Sequence, residues 1–379
     1  MSGIYLHIPF CKQKCHYCNF YSLASLKYRD VFVSALLKEM RLRENYLKDK
    51  HINTIYFGGG TPSLLSTEEI NRIIREIETL FELDAQAEIT LEANPDDLSA
   101  EYLKTLKTDT AINRLSIGVQ SFFDNDLEYL HRVHDGNHAR KAIETAKQTG
   151  FDNMTIDLIY GIPTLTEEKW KKNLALFFDY DIPHLSSYAL TVEPQTALEI
   201  LIKKHKLKNT SENQSVRDFE ILMEKTRQHG FEQYEISNFA LPGFYAKHNS
   251  TYWLGGHYLG LGPSAHSFNG FSRQWNVKNM KKYIGAEPTE AIVLEKEILS
   301  EQQRFNEYIL TSMRTSWGCS TEHIRHNFNA KYEAWFLKNV GKYLEQKKVV
   351  QKGNNTFVLT DSGKLFADGI ACDLFLDEE

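Results

Sequence analysis

Residues 7–20 read HIPFCKQKCHYCNF, and three of the chain's five cysteines, Cys11, Cys15 and Cys18, fall within them. An apolar run with strand character, Ile4–His7, leads into this stretch. The spacing Cys11-x3-Cys15-x2-Cys18 gathers three thiols on one short loop. Three thiolates can hold three corners of a [4Fe–4S] cluster and leave one iron without a protein ligand. Such an iron can bind a small molecule, as open coordination positions do at catalytic metal sites. Two alternatives stay open on spacing alone: a Cys3His zinc site through His7 or His16, and three buried thiols on one helix face. Cys319 and Cys372 lie far from the trio, and an odd cysteine count fits a disulfide framework badly.

Outward from this stretch, strand-like and helix-like segments alternate. Strands are predicted at Ile4–His7, Thr54–Phe57, Glu88–Glu92, Arg114–Val119, Asn153–Ile159 and Leu185–Leu190, and helices at 29–46, 67–81 and 167–178. Ser66 or Thr67 before Glu68 and Glu69, and Thr166 before Glu167 and Glu168, read as helix starts. The order predicts an α/β fold with a mostly parallel sheet. Six units suit a partial, TIM-like (β/α)6 barrel better than a closed eight-fold one. The polar run 203–215 predicts a surface excursion, followed by a helix ending near His229–Gly230. From Phe239 to Trp275 glycines and aromatics dominate, which predicts an ordered segment covering the barrel mouth. After about Pro288 come helical segments, a hairpin-like run VVQKGNNTFVLT and a further helix, the makings of a small winged-helix-like α+β unit packed on the barrel. The expected divisions are 1–238, 239–287 and 288–379.

Composition narrows the function classes. The 379 residues are 42% hydrophobic and 25% charged, ordinary values for a folded chain, with a formal net charge of −6. That balance argues against a protein devoted to nucleic-acid phosphates. No apolar run approaches the length of a bilayer span, and the N-terminus, MSGIYLHIPF, carries no leader pattern. A cytoplasmic protein without an integral membrane segment is expected.

The stretch NTIYFGGGTP places Gly58, Gly59 and Gly60 directly after a predicted strand, where missing Cβ atoms permit close backbone approach and the N–H groups can meet a ligand. Taken alone it is equally a tight βα turn. Glu92 ends AEITLE, Gln120 ends RLSIGVQ, and Asp157 lies in MTIDLIYGIP. A barrel builds its site at the C-terminal ends of its strands, so these residues are predicted to converge.

The segment HIPFCKQKCHYCNF resembles the CxxxCxxC signature of the radical S-adenosylmethionine (SAM) superfamily. Its flanks, HIPF and YCNF, are similar to the branch that contains the coproporphyrinogen dehydrogenases and the heme chaperones, and the likeness runs over nearly the whole chain. The resemblance implies that Cys11, Cys15 and Cys18 hold a [4Fe–4S] cluster. Its open iron would chelate SAM, which on reduction yields a 5′-deoxyadenosyl radical, the protein supplying position and solvent exclusion. It implies that Gly59, Gly60 and Thr61 meet the SAM methionine amino group, and that Tyr5 and Glu92 also contact this SAM, Glu92 through the ribose hydroxyls. Tyr17, Gln120, Arg132 and Asp157 resemble a second set of SAM contacts seen in the dehydrogenase, and Ala189 aligns there with a position that needs small bulk. Arg132, in YLHRVHD, would pair with a cofactor carboxylate.

Two departures separate this chain from the dehydrogenase pattern. The fourth position of CxxxCxxCxC is Phe20 here, and only ten residues precede Cys11, so the dehydrogenase's N-terminal extension is lacking. Both agree with the HemW-type heme chaperones, whose HNxxYW motif is matched by His248-Asn249-x-x-Tyr252-Trp253. An imidazole suits heme iron and aromatics can cover the macrocycle. His248 is thus the expected heme ligand, with His257 and His266 behind it. The expected function is binding of heme and its transfer to an unidentified heme-accepting protein of membrane-associated type. The alternative is radical oxidative decarboxylation of coproporphyrinogen III to protoporphyrinogen IX.

Overall fold

The computed structural model describes residues 1–286 and 292–376. Strand β1, Ser2–Ile8, is followed in chain order by β2, His51–Gly59; β3, Glu82–Ala93; β4, Arg114–Gln120; β5, Met154–Tyr160; and β6, His184–Ala189. Each pairs in parallel with the next. The six strands of the sequence reading are all present, each within three residues of its predicted bounds except β3, which starts six residues earlier, at Glu82. Burial on both faces, complete along β4, is what a parallel sheet covered by helices demands.

The intervening helices start where the caps place them. Ser66 and Glu69 form a capping box, Ser66 Oγ accepting from the Glu69 N–H at 3.3 Å and Glu69 Oε2 from the Ser66 N–H at 2.8 Å. Thr166 Oγ1 accepts from the Lys169 N–H at 3.3 Å. The helix expected to reach Tyr46 stops at Leu42. Beyond it the Arg43 guanidinium is drawn to Glu39 Oε1 at 2.8 Å, Ser267 Oγ at 2.7 Å and the Gly260 carbonyl at 3.0 Å. The polar run 203–215 is an excursion only between Lys203, which ends one helix, and Glu212, which starts the next.

The segment from Phe239 onward corrects the sequence reading. β7, Glu232–Glu235, and β8, Asn238–Ala240, extend the sheet beyond β6. β9, His257–Leu261, pairs in parallel with the outer side of β1, and β10, His266–Phe268, β11, Ser272–Asn276, and β12, Val293–Ile298, continue antiparallel from it. Within the Gly- and aromatic-rich stretch, β9 to β11 widen the barrel wall, while the helix Lys247–Trp253 packs against β1 and β2. The physical reason is the free edge of β1, whose N–H and C=O groups need partners. The sheet runs β12-β11-β10-β9-β1-β2-β3-β4-β5-β6-β8-β7 and stays open between its two ends.

The expected 287/288 boundary lies outside the described residues. One apolar core extends to Ile292, and a second begins at Phe305. The second belongs to a small unit made of helices Glu301–Met313, Thr321–Asn327 and Ala330–Glu345, a three-stranded antiparallel sheet of β13, Cys319–Ser320, β14, Val349–Lys352, and β15, Thr356–Leu359, and two short terminal helices. Arg314 holds it to the barrel through Glu235, at 3.0 Å.

Candidate functional site

The C-terminal ends of β2 to β6 surround a pocket of about 430 Å³, and the cysteine loop forms one side of it. Backbone bonds fix that loop. Cys11 N–H donates to the Leu23 carbonyl at 3.0 Å, Leu23 N–H to Pro9 at 2.7 Å, His16 N–H to Leu130 at 3.1 Å, and Leu198 N–H to His16 at 2.8 Å. Lys12 adds ion pairs to Asp96, at 2.9 Å, and Asp97.

Cys11, Cys15 and Cys18 all border the pocket without closing on a single-ion point among the described residues. Burial pushes the Cys11 thiol up, opposed by the hydroxyls of Thr61 and Ser22 beside it. Burial also pushes Cys18 up, opposed by the Phe20 N–H. Two thiols whose ionisation burial opposes, Cys11 and Cys18, gain from a cationic iron group that stabilises their thiolates. Ser22 Oγ is buried beside Cys11 and makes no other side-chain hydrogen bond among the described residues, which leaves it to the sulfur. The two histidines of the zinc alternative are engaged elsewhere. His7 bonds the Tyr5 hydroxyl at 3.2 Å and the Tyr21 carbonyl at 2.8 Å; His16 bonds the Tyr129 carbonyl at 3.1 Å and stacks on His131 at 4.4 Å between centroids. The residues thus fit an iron–sulfur cluster better than zinc.

The glycine turn binds the loop more than it waits for a ligand. Gly59 has φ +104°, and a Cβ there would sit 2.6 Å from the His7 ring. Its N–H donates to Glu92 Oε2 at 3.1 Å, while the N–H groups of Gly60 and Thr61 donate to the carbonyls of Ile8, at 2.8 Å, and Phe10, at 2.7 Å. These donors lock the entrance of the cysteine loop. Glu92 Oε1 accepts from the Tyr56 hydroxyl at 2.8 Å. Burial raises its carboxyl, opposed by those two donors, and each oxygen keeps lone-pair capacity for a further hydroxyl.

Gln120 ends β4 at φ +66°, beside a register shift between β4 and β5. That left-handed turn, strained for a residue with a Cβ, accompanies its place on the pocket wall. Asp157 accepts from Ser116 Oγ at 3.3 Å, and burial, then the nearby Glu92, pushes its carboxyl up to about 7. Arg132 sits between the cysteine loop and β4. Its Nη1 donates to Cys15 Sγ at 3.3 Å, and its Nη2 to Asn94 Oδ1 at 2.5 Å and the Gly118 carbonyl at 2.9 Å. Burial pulls its pKa down, but Tyr17 and Cys15 outweigh this and it stays charged.

Every predicted site residue except Tyr5 and His248 borders this pocket: the three cysteines, Tyr17, Gly59, Gly60, Thr61, Glu92, Gln120, Arg132, Asp157 and Ala189. Tyr5 lies opposite Tyr56 and three residues before the end of β1, about 10 Å down the strand. A Cβ on Gly58 would meet its ring at 3.0 Å, so Tyr5 backs the glycine turn from beneath. His248 lies deeper in the barrel, on the helix Lys247–Trp253, only 1% exposed. Its Nδ1 is hydrogen-bonded to Thr54 Oγ1 and its Nε2 to the Tyr252 hydroxyl, both at 2.8 Å. His257 and His266 sit on β9 and β10 and do not border the pocket. Sequence reasoning passed over Asn94 and Tyr188. Asn94 could have been found from its place after the β3 strand end; Tyr188 carries no such signal.

Residues 5–177 match the model of the radical SAM superfamily. A protein of Lactococcus lactis named heme chaperone HemW is 33% identical over 100% of this chain and 98% of its own length. The chain belongs to the HemW family. The HemW of Bacillus subtilis is 36% identical over 98% of both chains. Among solved structures, coproporphyrinogen III oxidase (HemN) from Escherichia coli, described as a radical SAM enzyme, superposes with a TM-score of 0.84 over 99% of this chain and 90% of its own, at 23% identity. HemN and this HemW-family chain share their fold, the C-terminal unit included. No described helix is long and apolar enough to cross a membrane.

Proposed function

We propose that this HemW-family chain is a cytoplasmic heme chaperone that binds heme and passes it to an acceptor hemoprotein, membrane-associated by our reading, while carrying a [4Fe–4S] cluster and SAM. The observation that carries this reading is the match to proteins named heme chaperone HemW along the full chain, the HNxxYW helix included. The replacement of a fourth cysteine by Phe20 speaks in the same direction.

In this reading Cys11, Cys15 and Cys18 hold the cluster. When bound to it, SAM supplies one-electron chemistry at its sulfonium. Glu92, already preorganised by Tyr56 and Gly59, accepts the ribose hydroxyls. Gly59, Gly60 and Thr61 line the methionine end, and Tyr17, Gln120, Arg132 and Asp157 would contact a second SAM, for which Ala189 leaves room. Tyr5 supports this wall from below. Asp157, poised near neutrality, can hold or release a proton at its carboxyl. His248 is the proposed heme ligand only in a form where the helix Lys247–Trp253 has swung out, because both ring nitrogens are otherwise engaged.

The test uses anaerobically reconstituted protein. Heme is titrated while the Soret band is followed, and in parallel SAM, a reductant and coproporphyrinogen III are supplied. Stoichiometric heme uptake without protoporphyrinogen IX supports the chaperone; multiple turnover to that product overturns it in favour of decarboxylation. Loss of the Soret shift in His248→Ala supports the ligand; full retention removes it.

A further inference from the structure

The bonds around Arg132 point to a role for it other than a carboxylate clamp. A clamp presents both terminal nitrogens of the guanidinium to the ligand. Here both N–H groups of Nη2 are taken, by Asn94 Oδ1 and the Gly118 carbonyl, and Nη1 is directed at Cys15 Sγ, so the two terminal nitrogens are not free together for a bidentate pair; Nε is buried without a partner among the described residues.

The network does not stop at Asn94. Because Oδ1 of that amide faces Arg132, its Nδ2 faces Thr61 and donates to Oγ1 at 3.0 Å. The Thr61 hydroxyl, accepting from Asn94, keeps its own hydrogen free, and both Thr61 and Cys11 border the pocket. A permanently charged guanidinium thus reaches one sulfur directly, that of Cys15, and is held in place from behind by Asn94 and Thr61.

Hydrogen bonds to the sulfur ligands of an iron–sulfur cluster are among the factors that set its reduction potential. A donor withdraws electron density from a thiolate and stabilises the extra negative charge of the reduced cluster, so the potential rises. We propose that Arg132, held in place by Asn94 and Thr61 and donating to Cys15, raises the reduction potential of the cluster held by Cys11, Cys15 and Cys18. The inference rests on reading the three thiols as cluster ligands and is independent of whether the cargo is heme.

The experiment compares wild type with Arg132→Met, Arg132→Lys, Asn94→Ala and Thr61→Val after anaerobic reconstitution. Iron and acid-labile sulfide report loading. A dithionite titration followed by electron paramagnetic resonance of the one-electron-reduced cluster reports the midpoint. Loaded Arg132→Met is expected to have a distinctly more negative midpoint. Arg132→Lys, which keeps the charge without the fork, should recover part of the shift, and Asn94→Ala and Thr61→Val should shift less in the same direction. A purely structural role would lower loading or thermal stability and leave the midpoint in place. A fully loaded Arg132→Met with the wild-type midpoint overturns the proposal. If that variant takes up no cluster, an unchanged midpoint in Thr61→Val overturns it instead. Failure of wild type itself to bind iron and sulfide would sink the ligand reading, an outcome separate from either.

Discussion

Thr54 Oγ1 on β2 and His248 Nδ1 on the Lys247–Trp253 helix lie 2.8 Å apart in the barrel interior, 194 residues apart in the chain. The imidazole ring also stacks on Tyr56, with 5.0 Å between centroids, and a Cβ on Gly3 would come within 3.1 Å of it. There is no spare room around it. Replacing His248 with Ala removes a packed ring and strands the Thr54 and Tyr252 hydroxyls, so a loss of about 2–4 kcal/mol in urea unfolding is expected. A loss below about 0.5 kcal/mol would show that the ring does not brace the barrel.

The same burial sets a pH dependence. Burial lowers His248 to about 3 and His7 to about 4, so the folded protein keeps both rings neutral while the unfolded chain protonates near 6.5. The unfolded state then binds more protons, and these groups withdraw stability as pH falls from about 6.5 towards 4. Asp157 acts oppositely. Its raised pKa means the folded state holds a proton that the unfolded chain has released, so its cost grows from about pH 4 to 7 and is constant above. Asp157→Asn is therefore expected to match wild type near pH 4 and to exceed it at pH 8. The gain is at most about 4 kcal/mol and smaller in practice, because the carboxyl opens onto a solvated pocket. Unfolding at the two pH values checks this; a constant difference contradicts it.

Glu92 offers a test of the nucleotide pocket. Glu92→Gln places an amide donor against either the Tyr56 hydroxyl or the Gly59 N–H, both of which already donate. Loss of two charge-assisted acceptors predicts SAM affinity reduced roughly 10- to 100-fold. Equilibrium dialysis with cluster-loaded protein measures it, and unchanged affinity would move the ribose away from this carboxylate.

Two glycines make a matched pair. A Cβ at Gly60 would stand 2.7 Å from the Phe10 carbonyl and 2.8 Å from that of Ile8, backbone atoms that cannot swing aside. Gly60→Ala should displace the cysteine loop, cost about 1–3 kcal/mol and lower iron content. Gly341, inside the helix Ala330–Glu345, has nothing within 4 Å of the same position. Gly341→Ala should stabilise by up to about 1 kcal/mol and leave iron content alone. Thermal melts and iron analysis of both variants decide the point.

Most of the pocket was legible before the fold was known. Glu92, Gln120 and Asp157 were placed by one rule, that parallel-barrel strands deliver their ends to a common rim, and that rule needs only the strands to be located. The cysteine trio was carried by spacing. Local pattern does not reveal how distant neighbours engage a side chain. The HNxxYW pattern named His248 without revealing that Thr54 would occupy one of its nitrogens. YLHRVHD names Arg132 as a cation facing the pocket but not its bonds to Cys15 and Asn94.

Local pattern determined the strand–helix alternation, the cap positions and the cysteine loop, since each depends on residues within a few turns of one another. Tertiary structure decided the rest: β9 closing on the bare side of β1, the core divided near residue 300, and the histidine turned inward to Thr54. Those outcomes are pairings between far-apart segments, settled by which edges and polar groups were still unsatisfied once the barrel had formed.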